Sequence, residues 1–329
     1  MSIVRLTAVI LLSFLGQIAF AGTPANEGLA LTPETAGPEF KIQGEYEGEL
    51  TAGDGTKSKF GAQVIALGGT NFNAKLESGG LPGAGWDMKS FEIKGTSEGD
   101  KATFNGPGDG KTWTISIAAE TLTGSSDKGD KLALKKVMRQ SPTLGLKPPE
   151  GAVVLFDGTI NEFNGKIDER GFLKAGATSK KKFDSYTLHI EFLLPFKPNG
   201  RGQDRGNSGV YQQGRYEVQV LDSFGLKGEN NECGGVYTVA KPKVNMCFPP
   251  LTWQTYDIEF TGAKFDESGK KIANAKMTCK HNGVVIHEDL DIPKETGGGS
   301  KEVPGGGPFH LQDHGNPVFY RNIWVVEKK

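Results

Sequence analysis

The amino-acid sequence predicts an all-β protein built from a small antiparallel β domain followed by a two-sheet jelly roll. Short segments with alternating apolar and polar residues recur along the chain, and Gly, Asp, Asn or Ser interrupts them at regular intervals. No apolar stripe with helical spacing persists over several turns, so helix is expected to be minor. At 329 residues, the chain is long enough for two domains once a leader is subtracted.

The N-terminus has the pattern of a secretory signal peptide. An apolar stretch from Leu6 to Phe20 follows Arg5, and the small residues Ala19 and Ala21 suit a signal peptidase. The stretch is too short and too interrupted by polar residues to favour a membrane anchor. We therefore expect residues 1–21 to be removed and the protein to be exported, periplasmic or extracellular, with no membrane attachment after cleavage.

The charge balance and the cysteine count exclude several function classes. The chain has 38 basic and 39 acidic side chains and a formal net charge of −1, so nucleic acid is not expected as a partner. The cysteines are Cys233, Cys247 and Cys279, too few for a disulfide framework and too widely spaced for a zinc site. We expect them to behave as small buried apolar side chains, with room for one disulfide at most.

A proline-rich segment divides the chain. Residues 22–40 are expected to be a flexible N-terminal segment, and residues 41–140 an antiparallel β domain that either closes as a barrel or stacks as a sandwich. Residues 141–151 contain Pro142, Pro148 and Pro149, which cannot continue a sheet, so this segment is predicted to be a linker. The jelly roll then occupies residues 152–329, with strands predicted at 153–156, 185–194, 209–212, 215–221, 253–260, 275–281, 284–290, 309–312 and 318–326.

One strand of the second domain carries polar residues on a single face. In the segment from Tyr216 to Asp222, the strand period places Glu217 and Gln219 side by side and turns Tyr216, Val218 and Val220 the other way. A solvent-facing strand surface would explain an isolated pair of this kind. Neighbouring segments instead favour a binding cleft.

Two of these segments carry groups suited to a sugar. Asn207 and Tyr211 lie in a glycine-containing segment and are candidates for hydrogen bonding to hydroxyl groups and for stacking on a pyranose ring. The other segment contains Gln312, Asp313 and His314 near glycine and proline, which predicts a turn that holds the imidazole over a cleft. Arg321 follows seven residues after His314 on a predicted strand.

The second domain resembles the 3-keto-disaccharide hydrolase domain family over residues 151–329. The resemblance implies a concanavalin-like jelly roll and a secreted hydrolase of glycosides that are oxidised to a ketone at carbon 3. Residues 22–140 resemble no family that we recognise. The segments that carry the resemblance are Val154–Gly158, Asn207–Tyr211, Tyr216–Asp222, Gly234–Tyr237, Trp253–Ile258, His281–Gly283, Leu311–Gly315 and Val318–Ile323.

A 3-keto sugar permits a route that does not need the two carboxylates of an ordinary retaining glycosidase. The ketone acidifies the hydrogen on carbon 2, so a base can remove it, the aglycone can leave and water can add. We expect Glu217 and His314 to act as base and acid in either order, with Arg321 or a divalent cation at the developing oxyanion. The other residues expected to bind the sugar are Asn207, Tyr211, Gln219, Tyr237, Trp253, Gln312 and Asp313. Asp222 and Asp313 are the candidate ligands of the divalent cation, which is the one cofactor that this chemistry suggests.

Two alternatives remain open from the sequence. The protein could be a non-catalytic, lectin-like carbohydrate-binding module whose stacking platforms are Tyr211, Tyr237, Trp253 and Trp324. Alternatively, the first domain could be the functional part, since Trp86 lies in a loop that could contact a ligand or the partner domain. The favoured interpretation of that loop is a tight turn capped by a packed Trp.

Overall fold

The computed structural model describes residues 27–328, and almost all of its regular structure is antiparallel sheet. The helical elements are one short helix, α1 at Pro38–Ile42, and single 3-10 turns at Pro33–Thr35 and Gly202–Asp204. The predicted signal peptide, and residues 22–26 of the predicted N-terminal segment, lie outside the described residues. No helix within residues 27–328 is long and apolar enough to span a membrane.

The first eight strands form a closed barrel, because the last strand pairs with the first. Alternate residues face the interior, where the largest buried side chains are Tyr46, Phe72, Phe104 and Trp113. Closure leaves no free sheet edge. The strands are β1 Gly44–Thr51, β2 Lys57–Ala66, β3 Asn71–Ser78, β4 Ser90–Glu98, β5 Lys101–Gly108, β6 Lys111–Ala118, β7 Thr121–Ser126 and β8 Lys131–Val137.

The remaining strands form a two-sheet sandwich, which confirms the predicted all-β fold with a concanavalin-like domain after a small antiparallel β domain. One sheet has the order β10-β21-β12-β15-β18-β19, with β9 also paired to β21, and the other has the order β11-β20-β13-β14. A large apolar core fills the space between them. The strands are β9 Val153–Phe156, β10 Leu173–Lys174, β11 Ala177–Phe183, β12 Tyr186–Leu193, β13 Ser208–Gln212, β14 Tyr216–Val220, β15 Trp253–Thr261, β16 Lys264–Phe265, β17 Lys271–Ala273, β18 Ala275–His281, β19 Val284–Ile292, β20 Gly307–Leu311 and β21 Phe319–Glu327.

Charged groups fasten the barrel to the sandwich. Arg205 of the sandwich donates from Nη1 to the carbonyl oxygen of Ala66, the last residue of β2, at 3.1 Å. Arg139 leaves the barrel and binds both carboxylate oxygens of Glu45, at 2.7 and 2.5 Å, while its guanidinium lies 4.9 Å from the centre of the Phe248 ring. The contacts that cross the boundary are thus a hydrogen bond from Arg205 to a barrel carbonyl group and a cation–π contact from Arg139 to a sandwich ring.

The segment that joins the two units lies on the seven-stranded sheet. Thr143 donates from its hydroxyl to the Asp257 carboxylate at 2.6 Å, and the backbone N–H of Gly145 donates to Glu191 at 2.6 Å. These contacts lie on the face of the sheet that is turned away from the sandwich core.

All three cysteines are buried and free of disulfides. Their side chains lie in the apolar core of the sandwich, in the role that the sequence predicts for small apolar groups.

Candidate active site

The candidate site is built on β14, the edge strand of the four-stranded sheet. Tyr216, Val218 and Val220 point into the apolar core between the two sheets. Strand alternation therefore turns Glu217 and Gln219 to the opposite face, where both remain buried. The predicted division of faces along this strand is the one that the structure has.

On that face the protein has a cavity of about 330 Å³. Its size is at the lower end of the range for small-molecule sites, and it suits one sugar residue. Its walls come from the loop before β13, from β14, from two glycines in the 295–300 loop and from the turn after β20. The lining residues are Gln203, Asn207, Glu217, Gln219, Tyr237, Gly297, Gly298, Gln312 and His314.

Glu217 is the only carboxylate among these lining residues. Its side chain is 2% exposed, and its Oε2 accepts a hydrogen bond from the Tyr211 hydroxyl at 2.9 Å. Oε1 has no hydrogen-bond partner in the described part of the chain, residues 27–328. Burial raises the pKa of Glu217 to about 7, against a smaller lowering by the Tyr211 hydrogen bond. A carboxyl group with this pKa can both accept and return a proton near neutral pH.

Gly209 on the neighbouring strand leaves the space that the Glu217 carboxyl group occupies. It lies next to β14, directly opposite Gln219. A Cβ atom at position 209 would lie only 2.0 Å from Glu217 Oε1. A residue with a side chain at this position would therefore displace the carboxyl group.

Four amide side chains surround the carboxyl group. Asn207 donates from Nδ2 to the backbone carbonyl of Gln203 at 2.9 Å, and Gln219 donates from Nε2 to Gln203 Oε1 at 3.3 Å. Gln312 donates from Nε2 to the Tyr211 hydroxyl at 3.3 Å. Asn207 Oδ1 and Gln312 Oε1 are buried without a partner, as Glu217 Oε1 is. The cavity thus contains three buried oxygen acceptors that a ligand rich in hydroxyl groups could satisfy.

His314 lies at the rim of this cavity on a tight turn. Gly315 donates its backbone N–H to Asp313 Oδ1 at 2.9 Å and has a φ of 73°, a conformation that favours glycine. Asn316 ties the turn to the sandwich, because its Oδ1 accepts from Lys197 Nζ at 3.1 Å. The turn thereby places His314 at the cavity mouth. Asp313 stabilises the turn, and its own side chain is exposed.

Sequence reasoning missed several residues of the site. Gln203 is the acceptor shared by two cavity amides, and it lies in a segment with no chemical signature. Gly297 and Gly298 line the cavity from a segment that reads only as a turn. In the same loop, Thr296 Oγ1 accepts from the backbone N–H of Glu217 at 2.9 Å. Such side chains are brought in by tertiary structure, and their spacing in the sequence gave no signal.

The predicted placement of Arg321 and Trp253 in the cleft needs correction. Both lie on the seven-stranded sheet, whereas Glu217 lies on the four-stranded one. Arg321 donates from Nε to Glu191 at 2.7 Å, and its guanidinium lies 4.0 Å from the centre of the Trp253 ring. These side chains therefore stabilise the other sheet and are not available to an oxyanion or a sugar in the cavity.

The predicted cation ligands also need correction. Asp222 is buried and accepts a hydrogen bond from Arg205 Nε at 2.7 Å, so its charge is already balanced. Asp313 is committed through Oδ1 to the turn described above. Over residues 27–328, no cluster of three or more His, Cys, Asp or Glu side chains is arranged to hold a metal ion.

The aromatic residues divide differently from the prediction of stacking platforms. Tyr211 and Trp324 are buried, and the Trp324 ring stacks on His189 at 5.2 Å. Tyr211 acts through its hydroxyl, which holds Glu217. Tyr237 alone of the predicted platforms lines the cavity. Trp86 packs under Lys75, whose Nζ lies 4.6 Å from the ring centre.

Comparison with known proteins identifies the family. Residues 99–326 match the 3-keto-alpha-glucoside-1,2-lyase-like domain. The chain belongs to this family. The match confirms the resemblance found in the sequence, and it begins inside the barrel, at the turn between β4 and β5. A search of curated proteins found no match.

Solved structures similar to this family member come from Parabacteroides distasonis ATCC 8503, each named a putative glycosyl hydrolase. One is 33% identical, with a TM-score of 0.50, over 55% of this chain and 85% of its own. Another is 16% identical, with a TM-score of 0.37, over 55% of this chain and 95% of its own. The family and the first of these structures support a glycosidase-like, carbohydrate-active function.

Proposed function

We propose that the protein is a hydrolase of 3-keto-glycosides, including 3-keto-disaccharides, that works by elimination and hydration. The name of its family refers to a 1,2-lyase acting on a 3-keto-alpha-glucoside, which is the elimination half of this reaction. The name of the similar solved structures refers to glycosyl hydrolysis, which is the net result. The cavity on β14 is the proposed site.

In the elimination step, Glu217 as a carboxylate takes the hydrogen from carbon 2 as a proton. The electrons of that C–H bond form the enolate with the carbon 3 ketone. The enolate then collapses to a double bond between carbons 1 and 2, and the bond from carbon 1 to the aglycone oxygen breaks. In the hydration step, the oxygen of a water molecule bonds to carbon 1, and the group that protonated the aglycone takes one proton back from this water. Glu217 returns its own proton to carbon 2, so the net reaction is hydrolysis.

The observation that carries this proposal is the buried Glu217 carboxyl group, with its pKa at about 7 and one oxygen free inside a sugar-sized cavity. A carboxylate of ordinary pKa would be a weak base toward carbon 2. The burial of Glu217 makes it a stronger base that is still ionised in part at neutral pH.

His314 is proposed to be the acid that protonates the leaving oxygen. The aglycone must leave toward solvent, and the exposed turn at the cavity mouth is on that side of the cavity. An imidazolium group can donate a proton to an alkoxide.

The amides are proposed to bind the sugar and the enolate. An amide NH₂ group has two hydrogens, and the 3.3 Å bond from Gln219 to Gln203 uses one of them. The second hydrogen is available to stabilise the enolate oxygen, which is the role that the sequence predicted for Arg321. The partnerless oxygens of Asn207 and Gln312 are available to sugar hydroxyl groups.

The experiment uses purified protein with 3-keto-trehalose and 3-keto-glucosides, with and without a chelator. E217Q and H314A are expected to lose turnover by about a hundredfold or more while circular dichroism is unchanged. E288Q is the matched control. Glu288 lies on β19 and is an exposed carboxylate that pairs with Lys243. Full activity in both site variants would refute the assigned roles. Activity that disappears with chelator and returns with a divalent cation would restore a metal to the mechanism.

Reaction in D₂O separates elimination from direct displacement. Elimination and hydration place solvent deuterium at carbon 2 of the product, whereas direct displacement at carbon 1 leaves that position protonated. Binding of unoxidised polysaccharide with no turnover of any keto-substrate would instead favour a lectin-like protein.

We also propose that the protein is exported and acts outside the cytoplasm. This rests on the apolar leader that precedes Ala21. Detection of a mature chain starting at Gly22 in the periplasm or culture medium would test it, and full-length chain in the cytoplasm would contradict it.

A further inference from the structure

A second and larger cavity lies where one end of the barrel meets the sandwich. Its volume is about 560 Å³, which is typical of small-molecule sites. The barrel rim and α1 form most of its wall, and the loop Pro249–Thr252 of the sandwich closes it. It shares no lining residue with the cavity that contains Glu217.

Most of this wall is apolar. The apolar lining residues are Pro33, Phe40, Ile42, Ile117, Ala119, Val137, Met138, Pro249, Pro250 and Leu251. Met138 is 88% exposed, although it is a large apolar side chain at the rim. An apolar cavity between two domains, with a few polar groups, is the usual setting of a ligand site.

Gln43 contributes a hydrogen-bond donor that has no acceptor among residues 27–328. The residue is 3% exposed, and its Oε1 accepts the backbone N–H of Ala66 at 2.9 Å. That bond fixes the amide orientation, because only the oxygen can accept. Nε2 is left buried without a partner. A buried donor of this kind costs stability unless another molecule satisfies it.

Lys136 contributes a cationic group to the same wall. Its side chain is half-buried, and its Nζ donates to the backbone carbonyl of Lys41 at 2.5 Å, which uses one of three hydrogens. Burial lowers the pKa of Lys136 to about 8, with Glu120 opposing the shift. No carboxylate within residues 27–328 lies within ion-pair distance of Nζ. Three carboxylates also line the cavity: Glu45, which is balanced by Arg139, and Asp100 and Glu120, which are exposed to solvent.

We propose that this cavity binds a small, largely apolar carboxylate, whose oxygens accept hydrogen bonds from Gln43 Nε2 and Lys136 Nζ. The apolar body packs against the rim and the Pro249–Thr252 loop. Since that loop belongs to the sandwich and the rest of the wall to the barrel, the ligand would bridge the two units.

The test uses 2-naphthoate as the probe and isothermal titration calorimetry as the measurement. Native protein is expected to give a single-site isotherm. K136M is expected to weaken binding by about tenfold or more, because a charge-assisted hydrogen bond is lost. In Q43E, a carboxylate oxygen can still accept from the backbone N–H of Ala66, but a second oxygen acceptor replaces the free Nε2 donor. Q43E is therefore expected to weaken binding by a similar factor. K135M is the matched control, since Lys135 lies on the exposed face of the same strand and should leave the affinity unchanged.

Two results with 2-naphthoate would overturn the proposal. One is the absence of saturable binding to native protein up to roughly 1 mM probe. The other is binding of native strength in both K136M and Q43E, with folding verified by thermal melting. 2-Naphthol serves as the uncharged comparison, and equal affinity for it would contradict the assigned carboxylate. E217Q should bind 2-naphthoate normally, so the outcome is independent of the proposed hydrolase activity.

Discussion

The Tyr211 hydroxyl lies 2.9 Å from Glu217 Oε2 and 2.8 Å from the carbonyl oxygen of Gly297. One hydroxyl hydrogen thus has two acceptors within reach. When Glu217 is ionised, the hydrogen can point to the carboxylate. When Glu217 is protonated, the hydrogen can turn to Gly297 and the hydroxyl oxygen can accept from Glu217. Tyr211 can therefore accompany a carboxyl group that takes and returns a proton in each cycle.

The first prediction concerns Y211F and the pH profile. For the native enzyme, kcat/KM should rise through pH about 7 as Glu217 loses its proton. The Tyr211 hydrogen bond lowers the pKa of Glu217, so its removal should move this rise to higher pH, by about 0.5 to 1 unit. The measurement is kcat/KM for a 3-keto-glucoside across this range. An unchanged rise, or one displaced toward acid, would show that Glu217 is not the titrating base.

The second prediction concerns G209A. Because the added Cβ would lie 2.0 Å from Glu217 Oε1, the carboxyl group should be displaced, and kcat should fall by about a hundredfold. The strand itself should survive, since the atom met is the end of a side chain. G106A is the control, because its Cβ would meet only Ile93 Cγ2, at 3.3 Å, in the barrel. If G209A turned over substrate at the native rate, the Glu217 geometry would be irrelevant to catalysis.

The sequence predicted the face of Glu217 and Gln219 correctly because strand alternation is strict and local. The same reasoning failed for Arg321 and Trp253. Alternation shows which residues share a face, but it does not show which of two sheets a strand joins. Gln203 could not be found at all, since its role depends on a loop that folds back over the strand. The fold was thus readable from local pattern. Within the site, Asn207, Tyr211 and Tyr237 were also predicted correctly, whereas Gln203 and the 295–300 loop were not.

The third prediction tests the corrected position of Arg321. R321M should lose the ion pair with Glu191 and the contact with the Trp253 ring, and the free energy of unfolding should fall by about 1 to 3 kcal/mol. Because Arg321 is remote from the cavity, kcat/KM should stay within about twofold of native. Enzyme assays and urea unfolding on the same preparation would check both. A large loss of kcat/KM with native stability would return Arg321 to the reaction.

The fourth prediction concerns the buried ionic cluster under the linker. His189 Nδ1 lies 2.6 Å from Asp257 Oδ1, and its Nε2 lies 3.5 Å from Glu191 Oε1. Burial alone would lower the pKa of His189, but the hydrogen bonds to Asp257 and Glu191 outweigh it and the net shift is upward. Burial likewise favours a higher pKa for Glu191, but hydrogen bonds from His189, Asn322, Arg321 and Gly145 lower it to about 2. In the folded protein, both net shifts therefore favour the charged forms of His189 and Glu191.

The signs of these shifts define a pH window for stability. The contribution of Glu191 is present above its unfolded pKa of 4.5 and is lost as pH falls through about 2. The contribution of His189 is complete below its unfolded pKa of 6.5 and is lost as pH rises through its raised folded value. The combined stabilisation by Glu191 and His189 is therefore greatest between the two unfolded pKa values, from pH 4.5 to pH 6.5. E191Q should cost about 1 to 3 kcal/mol there, since His189 and Arg321 each lose a charged hydrogen-bond partner.

H189Q isolates the alkaline side of this window. The difference in unfolding free energy between native protein and H189Q should be largest near pH 5.5 and should shrink as pH rises, because native His189 loses its charge. His287 provides a control of opposite sign: burial lowers its pKa, so the native side chain is destabilising when pH falls through 6.5. The free energy of unfolding of H287Q, measured relative to that of the native protein, should therefore increase as the solution becomes acidic. A native–H189Q difference that is constant from pH 5 to 9 would show that folding does not raise the pKa of His189 and would contradict the predicted role of its charge.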